Sequence, residues 1–361
     1  MTTLPAGQTG GQALVTGPLP GTILKLTPMR WILLLALSLL AGCAREPDLT
    51  VYCSLDQEFG EPLIRRFEAE TGLKVRAEFD IEANKNIGLA LRIREEHNRP
   101  RCDVFWSNEF AQVVSMGQDG LLAAYSSPSA ASIPATFKDQ EGRWTGFAAR
   151  ARIFIVNTQL VDPADVQDAW ALFDPRWSGK VAMARPLAGT TQTHLATLFE
   201  VWGEAQALRY AQTAAELSRS GALNLANGNA HVMRLVRSGE AAFGWTDTDD
   251  FEVARREGWP VAAVYPDKDK QGTLLIPNTV CILKTAPHPE AARRFVDWVL
   301  RPEVEAELAA SRSAQIPVRP DVPRPAHVLD AAQFRAMSVD FNAVGAKIQQ
   351  RTRELQEMFL K

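Results

Sequence analysis

Histidine is scarce in this chain, five residues in 361, and the five (His97, His194, His231, His288 and His327) are scattered. None has a partner at ligand spacing, which argues against a histidine-based metal centre. His97 reads as a solvated helix end, and His288, between Pro287 and Pro289, as a turn before a helix. Cysteine is also sparse. Cys43, Cys53, Cys102 and Cys281 show no CxxC spacing, so neither a disulfide framework nor a zinc knuckle is expected. The signatures HExxH, GxSxG and GxxxxGK(S/T) are missing, and Ser178-Gly179-Lys180 lacks the earlier glycine that a phosphate loop requires. An enzyme is therefore not expected. Basic charge is not in excess either: the formal net charge is −3, and a nucleic-acid partner would require a basic footprint. The one long apolar run, Ile32 to Leu40, is shorter than the roughly 20 residues that span a bilayer.

That run has another meaning. Met29-Arg30-Trp31 sets a basic start ahead of it and Ala41-Gly42-Cys43 follows, the layout of a secretory signal. Leu40-Ala41-Gly42-Cys43 resembles a bacterial lipobox, with Cys43 as the lipidated first residue. Residues 1–42 are read as leader and lipoprotein signal peptide. The expected location is the periplasmic or cell-surface face of a bacterial membrane, touched through the lipid anchor alone. The leader holds Lys25 and Arg30 and no acid, so the remaining 319 residues carry a net charge of −5. They suffice for two lobes of about 150 residues each.

Along the chain, Leu49 to Cys53 reads as a buried strand, and Phe59, Leu63, Ile64 and Phe67 mark one face of a helix stopped by Gly72. A strand from Lys74 to Phe79, a helix over 83–98 and a strand from Cys102 to Trp106 complete a parallel pattern. Ser126 to Pro134 is a loop. A second set begins with the strand Arg152 to Val156. It continues with helix 192–217, then helix, strand (Ala241 to Trp245) and helix within 229–257, and strands at Val261 to Tyr265 and Val280 to Leu283. Helices at 289–300 and 302–311, a proline-rich stretch from Pro317 to Pro325 and a last helix over about 331–359 follow. Two α/β sets place a cleft between them, and ligands in such sheets collect at the carboxyl ends of strands.

Several stretches then resemble the extracytoplasmic solute-binding proteins of iron(III)-type ABC importers. They include Val51-Tyr52-Cys53-Ser54-Leu55-Asp56-Gln57, Cys102-Asp103-Val104-Phe105-Trp106-Ser107-Asn108, Arg152-Ile153-Phe154-Ile155-Val156-Asn157-Thr158 and Asp174-Pro175-Arg176-Trp177-Ser178-Gly179-Lys180. Gly244-Trp245-Thr246-Asp247-Thr248-Asp249-Asp250 and Gly272-Thr273-Leu274-Leu275-Ile276-Pro277-Asn278 extend the match over residues 49–318. The resemblance implies an α/β, two-lobed periplasmic-binding-protein fold of the type II, transferrin-like kind, with hinged crossover strands near Arg150 and Pro277. Lobe 1 is then 49–149 plus 277–331, and lobe 2 is 150–276 plus 332–361. It also implies a monomer that captures iron(III) or an iron–anion chelate as cargo, with no resident cofactor, and works with an importer's permease and ATPase. The alternatives are a binding protein for a small organic anion, a sugar phosphate or phosphonate, and a lipoprotein enzyme on the same fold.

The candidate site residues lie where that cleft is expected. Asp56 follows the first strand, and Asn108 and Glu109 follow the third. Gly189-Thr190-Thr191 ahead of a helix offers amides and hydroxyls to an anion, or is a plain cap. Arg150 and Arg152 alternate on the crossing strand, and Arg150 is expected to reach the anion. Asp249 and Asp250 either contact ligand or crowd a helix start capped by Asp247 or Thr248. Ferric-binding relatives carry adjacent tyrosines at about Asp249 and Asp250, whereas this chain has only Tyr52, Tyr125, Tyr210 and Tyr265. Asp56, Glu109, Asp249 and Asp250 are the oxygen donors left to hold a cation.

Overall fold

The computed structural model describes residues 46–80, 87–325, 327–328 and 334–361. Cys43 and the leader lie outside the described residues, so the signal and lipidation readings are not addressed by it.

The expected first set is present. Strand β1 (Leu49–Cys53) is buried along its length. Helix α1 (Gln57–Thr71) buries Leu63, Ile64 and Phe67 and ends at Gly72, whose φ of 71° is the left-handed cap that glycine adopts at little cost. Strand β2 (Val75–Phe79), helix α2 (Ile87–Glu95), strand β3 (Val104–Ser107) and helix α3 (Ala111–Gln118) follow. Residues 83–86 of the expected second helix lie outside the described residues, and its end tightens into a 3-10 turn at Glu96–Asn98.

Strand β4 (Thr145–Asn157) is the long crossing strand, buried throughout. Beyond it come β5 (Val181–Ala184), α4 (Gly189–Val201), α5 (Glu204–Arg219), β6 (Asn224–Ala226), α6 (Asn229–Arg237), β7 (Phe243–Asp247), α7 (Thr248–Arg256), β8 (Val261–Val264) and β9 (Leu275–Ile282). The single helix expected over 192–217 is two helices. Gly203, at φ 82°, breaks it where no residue with a Cβ would sit comfortably.

The strands run β2-β1-β3-β9-β4-β7-β5-β6, with β8 on β4 beyond the end of β9. β1 pairs in parallel with β2 and β3, and β5 with β6 and β7; β4 and β9 are antiparallel to their neighbours. Two sets of cores result. One gathers Leu63, Phe67, Trp106 and Phe295 over the first half of the sheet, and another gathers Phe154, Tyr210, Phe243 and Trp245 over the second. β4 and β9 belong to both halves. They cross where Ala149 faces Pro277 and Arg150 faces Ile276, beside a bulge in which Ala148 takes φ 43°. That is the crossing the family resemblance implied.

Helices α8 (Pro289–Val299) and α9 (Pro302–Ala310) return to the first half. The last helix, α10 (Phe341–Phe359), starts later than expected because Asp340 caps it, accepting from the Asn342 and Ala343 amides. Nor does it belong to the second half alone. Phe341 stacks on Phe110 with ring centres 4.2 Å apart, while Thr352 accepts from Gln192 at 2.9 Å and Arg351 pairs with Glu204. Among the described residues no helix is long and apolar enough to cross a membrane.

Candidate functional site

The carboxyl ends of the parallel strands open onto one cavity of about 620 Å³. Asp56, the residue before α1, contributes from the end of β1, and Asn108 from the turn after β3. Arg185 and Gly189-Thr190-Thr191 come from the end of β5 and the start of α4. Asn229 and Arg234 belong to α6, and Asp249 and Asp250 to the first turn of α7. Arg150 lies on the floor, on β4. Eight of the nine residues singled out in the sequence therefore converge.

Glu109 is the exception. It is 1 % exposed and does not line the cavity. Its carboxylate accepts from the amides of Ala111 and Gln112 at the start of α3 and from Thr193 Oγ1 at 2.8 Å. Burial pushes its carboxyl above the ordinary range, against those hydrogen bonds. The proposed cation set is not assembled: among the described residues, no three of His, Cys, Asp and Glu stand where they could share a metal ion.

The arginines divide their roles by depth. Arg150 is 2 % exposed, its Nη2 donates to the Asn108 carbonyl, and its Nη1 lies 3.7 Å from the Asp249 carboxylate. Burial disfavours its charge, but Asp249, Asp247, Asp56 and Asp250 offset that and keep it protonated. Arg150 Nε and Asn108 Oδ1 are buried without a partner. Arg152, two residues on, stays below the cavity wall. It donates to Asp247 at 2.7 Å, Asn229 at 3.2 Å and the hydroxyls of Thr190 and Thr191, each at 3.3 Å. Asp247 accepts in turn from Thr190 at 2.7 Å and Asn229 at 3.0 Å. Asp247 is thus the residue before α7 without capping it; its carboxylate holds the starts of α4 and α6 in place.

Asp250 accepts from Thr246 at 2.8 Å, and Asp249 accepts from the Asp250 amide at 3.0 Å. His194 is buried against the Trp245 ring at 4.6 Å, and burial followed by Arg152 keeps the imidazole neutral. Tyr52 and Cys53 are packed in β1, and none of Cys53, Cys102 and Cys281 is joined in a disulfide.

The sequence reading missed Arg185, Asn229 and Arg234, and gave Asp247 only as a cap of the helix that follows it. The one local signal was Asn227-Gly228-Asn229, a helix start directly after a strand. The arginines carry no such mark. The surface they make has two signs, with Arg150, Arg185 and Arg234 set among Asp56, Glu58, Asp249 and Asp250. Two helices of eight or more residues, α4 and α6, also open their amide ends onto it.

Residues 63–336 match the bacterial extracellular solute-binding protein family. The iron uptake protein A1 of Synechocystis is 25 % identical over 342 residues, covering 88 % of this chain and 92 % of the relative. Among solved structures, FutA (IdiA) of Trichodesmium in complex with iron and citrate superposes with a TM-score of 0.71 at 22 % identity, over 87 % of this chain and 99 % of that one. The periplasmic binding protein AfuA of Actinobacillus pleuropneumoniae, with fructose-6-phosphate bound, gives 0.75 at 23 % identity, over 86 % of this chain and 98 % of that one. These likenesses establish the fold expected from the sequence.

Proposed function

The chain belongs to the bacterial extracellular solute-binding protein family, and on that footing we propose that it is the cargo-capturing component of an ABC importer for iron(III) carried as an organic-anion chelate. The observation that carries this reading is the two-signed lining of the cavity. Among the described residues it holds no Tyr, His or Cys, so it offers bare iron(III) no phenolate, imidazole or thiolate. A chelate brings its own ligands. It presents anionic edges to Arg185, Arg234 and the amide ends of α4 and α6, and its cationic centre to the acids opposite. The iron uptake role of the Synechocystis relative and the iron and citrate ligands of the Trichodesmium protein support this choice.

Residues from both halves line the cavity, so a bridging solute favours the closed arrangement, which the permease would recognise before the ATPase drives import. In this proposal the protein acts as a monomer outside the cytoplasmic membrane, anchored through Cys43.

A second reading, a sugar phosphate, rests on the same helix starts as a phosphate seat, with Asp56, Asp249 and Asp250 as acceptors for sugar hydroxyls. The bound fructose-6-phosphate of AfuA lies in a protein of this fold. Melting curves in ferric citrate, citrate alone and fructose 6-phosphate separate the two, because a ligand that binds only the native state raises the midpoint. Ferric citrate is expected to raise it well beyond citrate. A rise with fructose 6-phosphate alone selects the second reading, and no rise with any of the three ends both.

A further inference from the structure

The turn Ser107 to Glu109 ties together the elements that meet at the cavity floor, through a carboxylate that does not reach the cavity. Of the three donors to Glu109, two are amides of α3 in its own half, which a helix start leaves open. The third, Thr193 Oγ1, comes from α4 in the other half. The backbone of the turn is tied as well. The Glu109 carbonyl accepts from Thr279 Oγ1 of β9 at 2.7 Å, the Asn108 carbonyl accepts from Arg150 of β4, and the Glu109 amide donates to Ser107 Oγ at 3.2 Å.

The Glu109–Thr193 bond lies directly behind both cavity walls. Asn108, which lines the cavity with a buried, unpartnered Oδ1, is the residue before Glu109. Thr190 and Thr191, which line the opposite wall, precede Thr193 by a turn or less. Thr193 is itself only 1 % exposed. A carboxylate this deep is tolerated only when donors saturate it, so the link across the halves is costly to break.

We infer that Glu109 is a positioning residue. Through Thr193 it fixes the start of α4 against the turn that carries Asn108, and so sets the spacing of the two walls with a hydrogen bond that no solute touches. This rests on the cavity being the solute site, and the test keeps the two claims apart.

Thr193→Val preserves the side-chain shape and removes the hydroxyl; Thr193→Ser restores the hydroxyl. In hydrogen–deuterium exchange on the solute-free protein, amides of α4 are expected to exchange about fivefold faster in Thr193→Val, the worth of one net hydrogen bond. They should return to the native rate in Thr193→Ser, while α3 keeps its protection because its two caps remain. Native exchange of α4 in the valine variant overturns the inference. Calorimetric titrations with ferric citrate and with fructose 6-phosphate form the second arm. Whichever probe binds the native protein is expected to bind Thr193→Val about fivefold or more weakly, on the same scale, with Thr193→Ser close to native. Equal affinities overturn the positioning role even if exchange changes. If neither probe binds the native protein, the cargo reading fails, while the exchange result still decides whether Glu109 holds α4.

Discussion

Arg152 and Asp247 stand opposite each other in the antiparallel register of β4 and β7, and their side chains meet at 2.7 Å, both sealed from solvent. Thr190 and Asn229 bond to the same pair, so it joins the middle of β4 and the end of β7 to two helix starts. Removing one partner of a buried pair strands the other charge, at a cost of about 3–5 kcal/mol. Arg152→Met is therefore expected to lower the unfolding free energy by about that amount, read from urea midpoints at constant slope. A loss no larger than the roughly 0.5 kcal/mol of an ordinary surface change would show that the pair holds nothing together.

The same pair sets an acid limit. Burial pushes the Asp247 carboxyl up, but Arg152 and Arg150 outweigh it and hold the folded-state value below the ordinary carboxylate range. Unfolded, it returns to about 3.9. A carboxyl depressed on folding contributes stability above the unfolded value and loses it as pH falls through the folded one. Urea midpoints followed downward from about pH 5 should fall, and less steeply in Asp247→Asn. Parallel curves would rule out this origin for the acid sensitivity.

Gly345 of α10 lies against α3. A Cβ there would stand 2.3 Å from Val114 Cγ1 and 3.2 Å from the Ala111 carbonyl oxygen. Helix propensity alone favours alanine over glycine by about 1 kcal/mol, whereas forcing a methyl into a filled contact costs about 1–3 kcal/mol. The contact involves backbone as well as side chain, so the second effect wins. Gly345→Ala is expected to be destabilised in urea despite its better propensity. A stabilised variant would mean that the last helix does not rest on the first half.

Much of this fold could be read from residue order alone, because buried strands and glycine stops are local signals. β1 with Gly72 behind α1 needed no tertiary knowledge, whereas the crossing at Arg150 and Pro277 came from the family resemblance. The missed features were those decided by distant partners. Glu109 looked like a cleft acid because it follows a strand; only Thr193, far along the chain, shows that it faces inward. Arg150 and Arg152 alternate identically in sequence, yet one reaches the cavity and the other lies beneath it, since Asp247 claims Arg152 from the neighbouring strand. Arg185 and Arg234 carried no local signal because a lone arginine after a strand or within a helix is most often a solvated surface group.

Those two arginines give the sharpest check on the sign of the cargo. Both are exposed and line the wall beside the starts of α4 and α6, so they can meet an anion without the desolvation that Arg150 would suffer. A hydrogen bond to a charged group contributes about 1.5–3 kcal/mol, less where water screens it. Arg185→Ala and Arg234→Ala are each expected to weaken binding of ferric citrate, or of fructose 6-phosphate if that is the cargo, by about tenfold in calorimetric titration. The penalty should shrink in high salt, because exposed charges lose their reach as the screening length contracts. Native structure should be unaffected, since neither side chain is part of a core. The opposite result, tighter binding once either arginine is removed, would mean that the acids of the cavity and not its arginines meet the solute, and that the cargo is a cation.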